Sequence, residues 1–309
     1  MKQTLLLSTL VCSILGTVRY AVEAAPADAS PEAAASTGER YLLRYKFKMG
    51  EVIRYGVKHS ADVRSTIEST SQQARSTSES IKVWKVTDVL PDGQMEFVNL
   101  VESVRMSNRV PNRAVVKYDS QTDKTPPPSF QQAAQAVGVP LSVIRLAPDG
   151  LVIQREEKHP QPAPSDDMPI TLQLPPEPLA VGEQWAETYE VPVERKSGAI
   201  LQVRTRRVCN LKHVKSGVAT ITVEYQILTP VDAFVESQLV ERLSKGTVRF
   251  DVEQGRVLSK QMVVDRRILG FAGEVSSMHY VSRLEERLLK PDEQLARKPA
   301  KPSTVEKQK

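Results

Sequence analysis

Over long stretches the chain alternates. Ala219, Ile221, Val223, Tyr225 and Ile227 take every second position, and Val218, Thr220, Thr222, Glu224 and Gln226 fill the places between. That is the period of a strand with one buried face and one wet face. The preceding strand ends near Val214 and pairs with it across the tight turn Lys215-Ser216-Gly217. The same device occurs earlier, where Ile81 to Val89 runs into Pro91-Asp92-Gly93 and Gln94 to Met106 returns. Asp and Gly there tolerate the positive φ that a tight turn demands. Two such hairpins predict a mainly β protein with antiparallel sheets.

Two short helices interrupt the alternation. Ser129 to Val137 follows three prolines, carries Phe130, Ala133, Ala134 and Val137 at helical spacing, and stops at Gly138. Thr229-Pro230-Val231-Asp232 supplies a cap, a proline and an acid for the second, which the pattern predicts from Pro230 to Lys245, with Gly246 ending it. Phe234, Val235, Leu239 and Leu243 form its apolar stripe. Each helix feeds a short hairpin, turning at Pro148-Asp149-Gly150 and at Glu253-Gln254-Gly255.

The order of parts is the same in both halves. Met49-Gly50-Glu51-Val52 and Val181-Gly182-Glu183-Gln184 each open a strand, followed by a long hairpin, a helix and a short hairpin. The spacing between matching landmarks shrinks steadily from Gly50/Gly182 through Gly93/Gly217 and Gly138/Gly246 to Gly150/Gly255, as deletions in the second half would cause. The expectation is a tandem duplication of a β-hairpin/helix/β-hairpin unit. Against it stands chance reuse of glycine openings and Asp-Gly turns. One continuous sheet and two separate domains are both open at this point.

The ends of the chain address and flank this body. Lys2, the apolar run Leu5 to Val18 and the small residues around Val22-Glu23-Ala24 form a signal peptide over 1–24, cleaved after Ala24. The run is too short to span a membrane and no later segment approaches that length, so no transmembrane span is expected in the mature chain. Lipid anchoring at Cys12 is disfavoured because Thr9-Leu10-Val11 lacks the small residues of a lipobox. An Ala/Pro/Ser linker (25–40), a first β-rich repeat (41–158), a Pro-rich connector (159–178), a second repeat (179–289) and a basic disordered tail (290–309) follow. The expected destination is periplasmic or extracellular. Loss of Cys12 leaves Cys209 alone, on a strand face with Leu201, Val203 and Leu211, where it reads as an inert core thiol.

Composition narrows the function only by exclusion. Lys plus Arg is 42 against Asp plus Glu at 37, but part of that basic surplus sits in the tail and the middle is mixed in sign, so nucleic acid is not an expected partner. His59, His159, His213 and His279 show no metal spacing. GxSxG, SxxK, GxGxxG and a Walker loop are missing from the sequence. Asp166-Asp167 and Glu285-Glu286 read as solvated surface acids. His279, on the opposite strand face from Tyr280, reads as a hydrogen-bonded structural residue. Trp84 and Trp185 sit within strands that need core residues, and Ser65 to Ser80 reads as the polar face and turn of a long hairpin. No catalytic, cofactor-binding or metal residue and no cofactor is assigned.

Four stretches carry a likeness: Gly246 to Ser259, Gly270-Phe271-Ala272-Gly273, Ser277-Met278-His279-Tyr280 and Val181-Gly182-Glu183-Gln184-Trp185. In these the chain, over roughly Tyr41 to Leu289, resembles an uncharacterised family of secreted bacterial proteins, a domain of unknown function. The resemblance implies export and a β-rich fold and carries over no site residue. Three functions are then weighed: a non-enzymatic binding or scaffold protein of the cell envelope, which is preferred; a half-barrel carrier of a lipid or other apolar ligand; and a hydrolase whose site is assembled from distant residues. The partner is unknown, an envelope component or an apolar ligand being the candidates.

Overall fold

The computed structural model describes residues 38–160, 170–290 and Glu293. The expected signal peptide, Cys12, most of the linker and tail, and Asp166-Asp167 lie outside the described residues.

The body begins with β1 (Arg40–Tyr41) and an extended segment through Phe47. A meander of β2 (Val52–Ile67), β3 (Thr70–Val89) and β4 (Met95–Arg109) follows, with β5 (Val116–Asp119) on the far end of β4. A 3-10 turn at Pro128–Phe130 leads into α1 (Gln131–Gln135), then β6 (Pro140–Leu146) and β7 (Val152–Glu157). Past the connector come β8 (Leu179–Ala180), β9 (Gln184–Glu194), β10 (Ile200–Lys215), β11 (Val218–Ile227), α2 (Ala233–Leu239), β12 (Lys245–Asp251), β13 (Arg256–Leu269) and β14 (Ser276–Leu288). The fold is mainly β, antiparallel, with two short helices. β1 pairs with β8, and the other strands form a 12-stranded sheet in the order β7-β6-β4-β3-β2-β14-β13-β12-β11-β10-β9, with β5 beside β4.

Apart from β1 and β8, the described strands of both halves therefore share one sheet. Its seam is the β2–β14 ladder, which runs from Tyr55↔Leu288 to Ile67↔Ser276. On either side of the seam the same construction recurs. Gly50 and Glu51 bracket Val86 with backbone hydrogen bonds of 3.1 and 2.9 Å, and Gly182 and Glu183 bracket Leu211 at 2.7 and 3.1 Å. The register then slips between Val86 and Asp88 on β3 and between Leu211 and His213 on β10. It slips again between Arg145 and Leu146 on β6, and between Arg249 and Phe250 on β12. A bulge adds one residue and a local bend. The first half carries further slips, at Ile81/Lys82 and Asn99/Leu100, that the second lacks. α2 packs on β9 and β13 while α1 makes no comparable contact with β2 or β7, so the halves share strand order but not helix packing.

The helices differ from expectation at their ends. α2 is capped by Asp232, whose Oδ1 accepts from Val235 N at 2.9 Å; Thr229 instead accepts, through Oγ1, from Arg204 N at 2.8 Å. The helix tightens into a 3-10 turn at Val240–Arg242, which buries Val240 and leaves the expected Leu243 only part-buried. Gly246 lies inside β12 rather than at a helix end. A Cβ there would stand 1.8 Å from Gln261 O, so close strand approach explains the glycine. α1 is likewise shorter than Ser129 to Val137, its first turn being the 3-10 turn that buries Phe130.

One face of the sheet is covered at both ends. At one end Leu43, Tyr45 and Phe47 of the extended segment, with Leu172 and Leu174 of the connector and Leu179 of β8, pack on Ile53, Trp84, Phe97, Leu211, Ile221 and Phe250. Trp84 and Phe97 stack at 4.7 Å and Tyr45 meets Phe250 edge-on at 5.4 Å. The extended segment is held between the turns of the two short hairpins: Tyr45 N donates to Pro148 O at 2.7 Å and Lys46 N to Gly255 O at 3.0 Å. At the other end α2 presses Val235 and Leu239 onto Val191, Val193 and Val203, while Val240 joins Ala61, Val264, Ile268 and Met278.

Candidate functional site

Between the two covered ends the inward register turns polar. Lys82, Arg207, Lys260 and Glu286 occupy the same strand parity as Trp84, Cys209, Met262 and Leu284, which faces the core. Alternation alone therefore carries four charges inside. Lys260 lies directly across from Glu286 in the β13–β14 ladder. Lys82 Nζ donates to Glu286 Oε1 at 2.8 Å, with side-chain exposures of 18% and 13%. The same ammonium stands 5.0 Å from the Tyr55 ring centre and 4.8 Å from that of Trp84. Arg207, buried, is paired with Glu187 across the β9–β10 ladder.

Arg207, Lys260 and Glu286 line a small cavity together with Tyr45, Tyr55, Trp84, Tyr225 and the valines at 223, 248 and 257, and Ile170–Leu172 of the connector close over it. Lys82 and Glu187 are paired to its walls, at Glu286 and Arg207. Room inside for the centres of water-sized molecules is about 30 Å³, enough for a small head group or a water or two and not for a lipid chain. Tyr45 OH bonds to the backbone of Leu172 at 3.1 Å, fixing the connector over the opening.

The electrostatics follow from burial. The Tyr45 and Tyr55 phenols are pushed up by loss of solvent, so both stay neutral. Burial by itself would raise the Glu286 carboxyl, but Lys82 and Lys260 outweigh it and hold the group below the usual range. Lys260 is held below the ordinary lysine range, chiefly by burial; Glu286 opposes that shift and Arg207 adds to it.

Glu286 is thus not the solvated surface acid that its pairing with Glu285 suggested. The other sequence candidates fall elsewhere. Cys209 is buried on the core face, its thiol pushed up to about 12 by burial, as an inert thiol requires. His279 Nε2 lies 2.8 Å from Asp265 Oδ1 on the outer face, and Tyr280 OH donates to Glu241 at 2.6 Å on the inner one. Among the described residues no cluster of His, Cys, Asp and Glu could hold a metal ion. Trp185 packs against the core and donates to Gln173 O at 2.9 Å. The Ser/Thr-rich run forms the outer parts of β2 and β3 and their turn at Glu68, whose φ is 55°. No helix among the described residues is long and apolar enough to cross a membrane. The inward charges were missed because no motif marks them. The available signal was the parity itself, a charged residue at a position where the strand pattern calls for an apolar one.

No family model and no curated protein matches the chain. Among solved structures, one of lipovitellin concerned with lipid–protein interactions aligns at TM-score 0.43 and 12% identity, over 81% of this chain and 27% of that one. DynF from the dynemicin biosynthesis pathway of Micromonospora chersina aligns at TM-score 0.20 and 8% identity, over 85% and 95%. The chain spans about a quarter of the lipovitellin chain it matches. At these scores neither likeness carries anything about fold or function.

Proposed function

We propose that this is an exported, non-enzymatic binding protein that holds a small amphipathic ligand against the inner face of its sheet. The observation that carries the reading is the cavity under Ile170–Leu172, where aromatic rings, valines and inward charges meet in one space roofed by the connector. Ligand sites combine an apolar lining with a few fixed polar groups in this way. The carrier alternative thereby moves ahead of the scaffold, with one change: the cavity suits the head of an amphiphile, and the chain would lie beyond it. Export rests on the sequence of residues 1–24.

Native mass spectrometry of the full chain, before and after solvent extraction, tests the reading. A bound small amphiphile lost on extraction supports it, as does a rise in Tm of the extracted protein on adding octanoate or octanol. A ligand at a hundredfold excess over its Kd adds roughly 2.7 kcal/mol. If nothing is extracted and no amphiphile shifts Tm, the reading fails. The scaffold would then stand, with the hydroxyl-rich β2–β3 hairpin as its contact surface.

A further inference from the structure

Charges in and beside the cavity pair off and leave one over. Arg207 is taken by Glu187, and Glu286 by Lys82. Lys260 has no hydrogen bond or ion pair to any described residue, although it lines the cavity and sits across from Glu286. A second group lining the same cavity is also unsatisfied: Trp84 Nε1 is buried without an acceptor. Both orphans are donors, and an indole N–H can only donate. With three cationic groups against two carboxylates, the cluster carries one uncompensated positive charge wherever Lys260 is protonated. A desolvated charge with no hydrogen-bonded partner is costly, and a buried donor without an acceptor adds to that cost. One species with a single negative charge and acceptor oxygens removes both penalties. A dianion would overshoot and leave the cluster negative.

Resting on the ligand-binding reading above, we propose that Lys260 is the anchor of a site for a monoanionic head group, a carboxylate, borne either by a free small acid or by a fatty-acid-like amphiphile. Lys260 Nζ supplies the charge and Trp84 Nε1 the second donor. Glu286 limits affinity, because it already occupies Lys82 and attracts Lys260.

The test is isothermal titration calorimetry on the full chain with three probes: acetate, the head alone; octanol, the chain alone; and octanoate, both together. The expected result is octanoate binding about tenfold or more tighter than octanol. Lys260→Met should bring the two to parity while octanol binding persists. Glu286→Gln should move octanoate the opposite way, several-fold tighter, which separates loss of the anchor from damage to the fold. Acetate and octanoate binding alike would keep the anion site, assign it to a small free acid and overturn the amphipathic reading. Octanol equalling octanoate in the unsubstituted protein, or an octanoate preference that survives Lys260→Met, would overturn the anion site and leave ligand binding intact. Binding of none of the three would overturn both.

Discussion

Lys82 and Lys260 face the same carboxylate from neighbouring strands, yet their substitution should move stability in opposite directions. Lys82 makes the direct bond to Glu286 and spends its remaining surface on two aromatic rings. Removing it leaves a buried carboxylate short of its partner, a loss of about 3 kcal/mol, or roughly 6–12 °C in Tm for Lys82→Met. Lys260 gains less from Glu286 than burial costs it, since its ammonium is held below the ordinary lysine range. Lys260→Met, close in shape and free of charge, should leave Tm unchanged or raise it by about 1 kcal/mol in stability. The two groups also set the pH dependence. Glu286 titrates lower in the folded chain than unfolded, so its contribution is present above the ordinary carboxylate range and lost as pH falls through its folded value. Lys260 is depressed in the folded state, so between its folded and its ordinary value the unfolded chain binds more protons and stability rises with pH. Denaturant titrations should show this alkaline rise, and Lys260→Met should abolish it. A rise that persists in the variant would assign it to another group.

At the scale of elements, the turns of the short hairpins do more than reverse the chain. Gly150 and Gly255 have φ of 89° and 63°, and the space where each would carry a side chain is filled by the Tyr45 ring and by the Arg44–Lys46 backbone. A Cβ on Gly255 would lie 2.5 Å from Arg44 O and Lys46 N. Gly255→Ala should therefore strain the turn and displace the extended segment together, at about 1–3 kcal/mol. Amide exchange at Tyr45 and Lys46 is the sharper readout, and unchanged protection there would show that the segment is held elsewhere. Leu239→Ala on α2, with Leu239 at 1% exposure, should cost about 2–5 kcal/mol without touching amphiphile binding, since it packs at the far end of the face. Strand positions, turn residues and the inward faces of β10 and β11 were legible in the sequence because period two is a local signal. The bulges at Val86 and Leu211 occupy like places in the two halves, but the two helices pack differently, so the duplication that landmark order suggested stays an expectation. The covering of the core by Tyr41 to Phe47 was not legible, because Leu43, Tyr45 and Phe47 alternate like any strand while their partners lie far along the chain. The site escaped for the same reason: Lys82, Lys260 and Glu286 come together only through non-local pairing.

For the molecule as a whole, the seam between β2 and β14 decides whether the chain behaves as one unit or two. Sequence order invites a picture of two repeats joined by a connector, each with its own core. The described residues are tied in three further ways. Tyr45 from the first half packs on Phe250 of the second, Arg256 reaches Glu51 at 2.5 Å, and Lys82 reaches Glu286. Either half alone would expose a long edge, β2 or β14, with an inward face made for a partner that is no longer there. The charge at Glu286 would lose Lys82 in the same step. A protease site placed between Pro160 and Ile170 gives the measurement. After cleavage the two pieces should co-elute on a sizing column and melt in a single transition. The second half expressed by itself, lacking both the β2 ladder and the extended segment, should aggregate or stay unfolded. Cleaved pieces that separate into two folded species, each melting independently, would show the seam to be a contact between domains and Lys82 and Lys260 to belong to separable units.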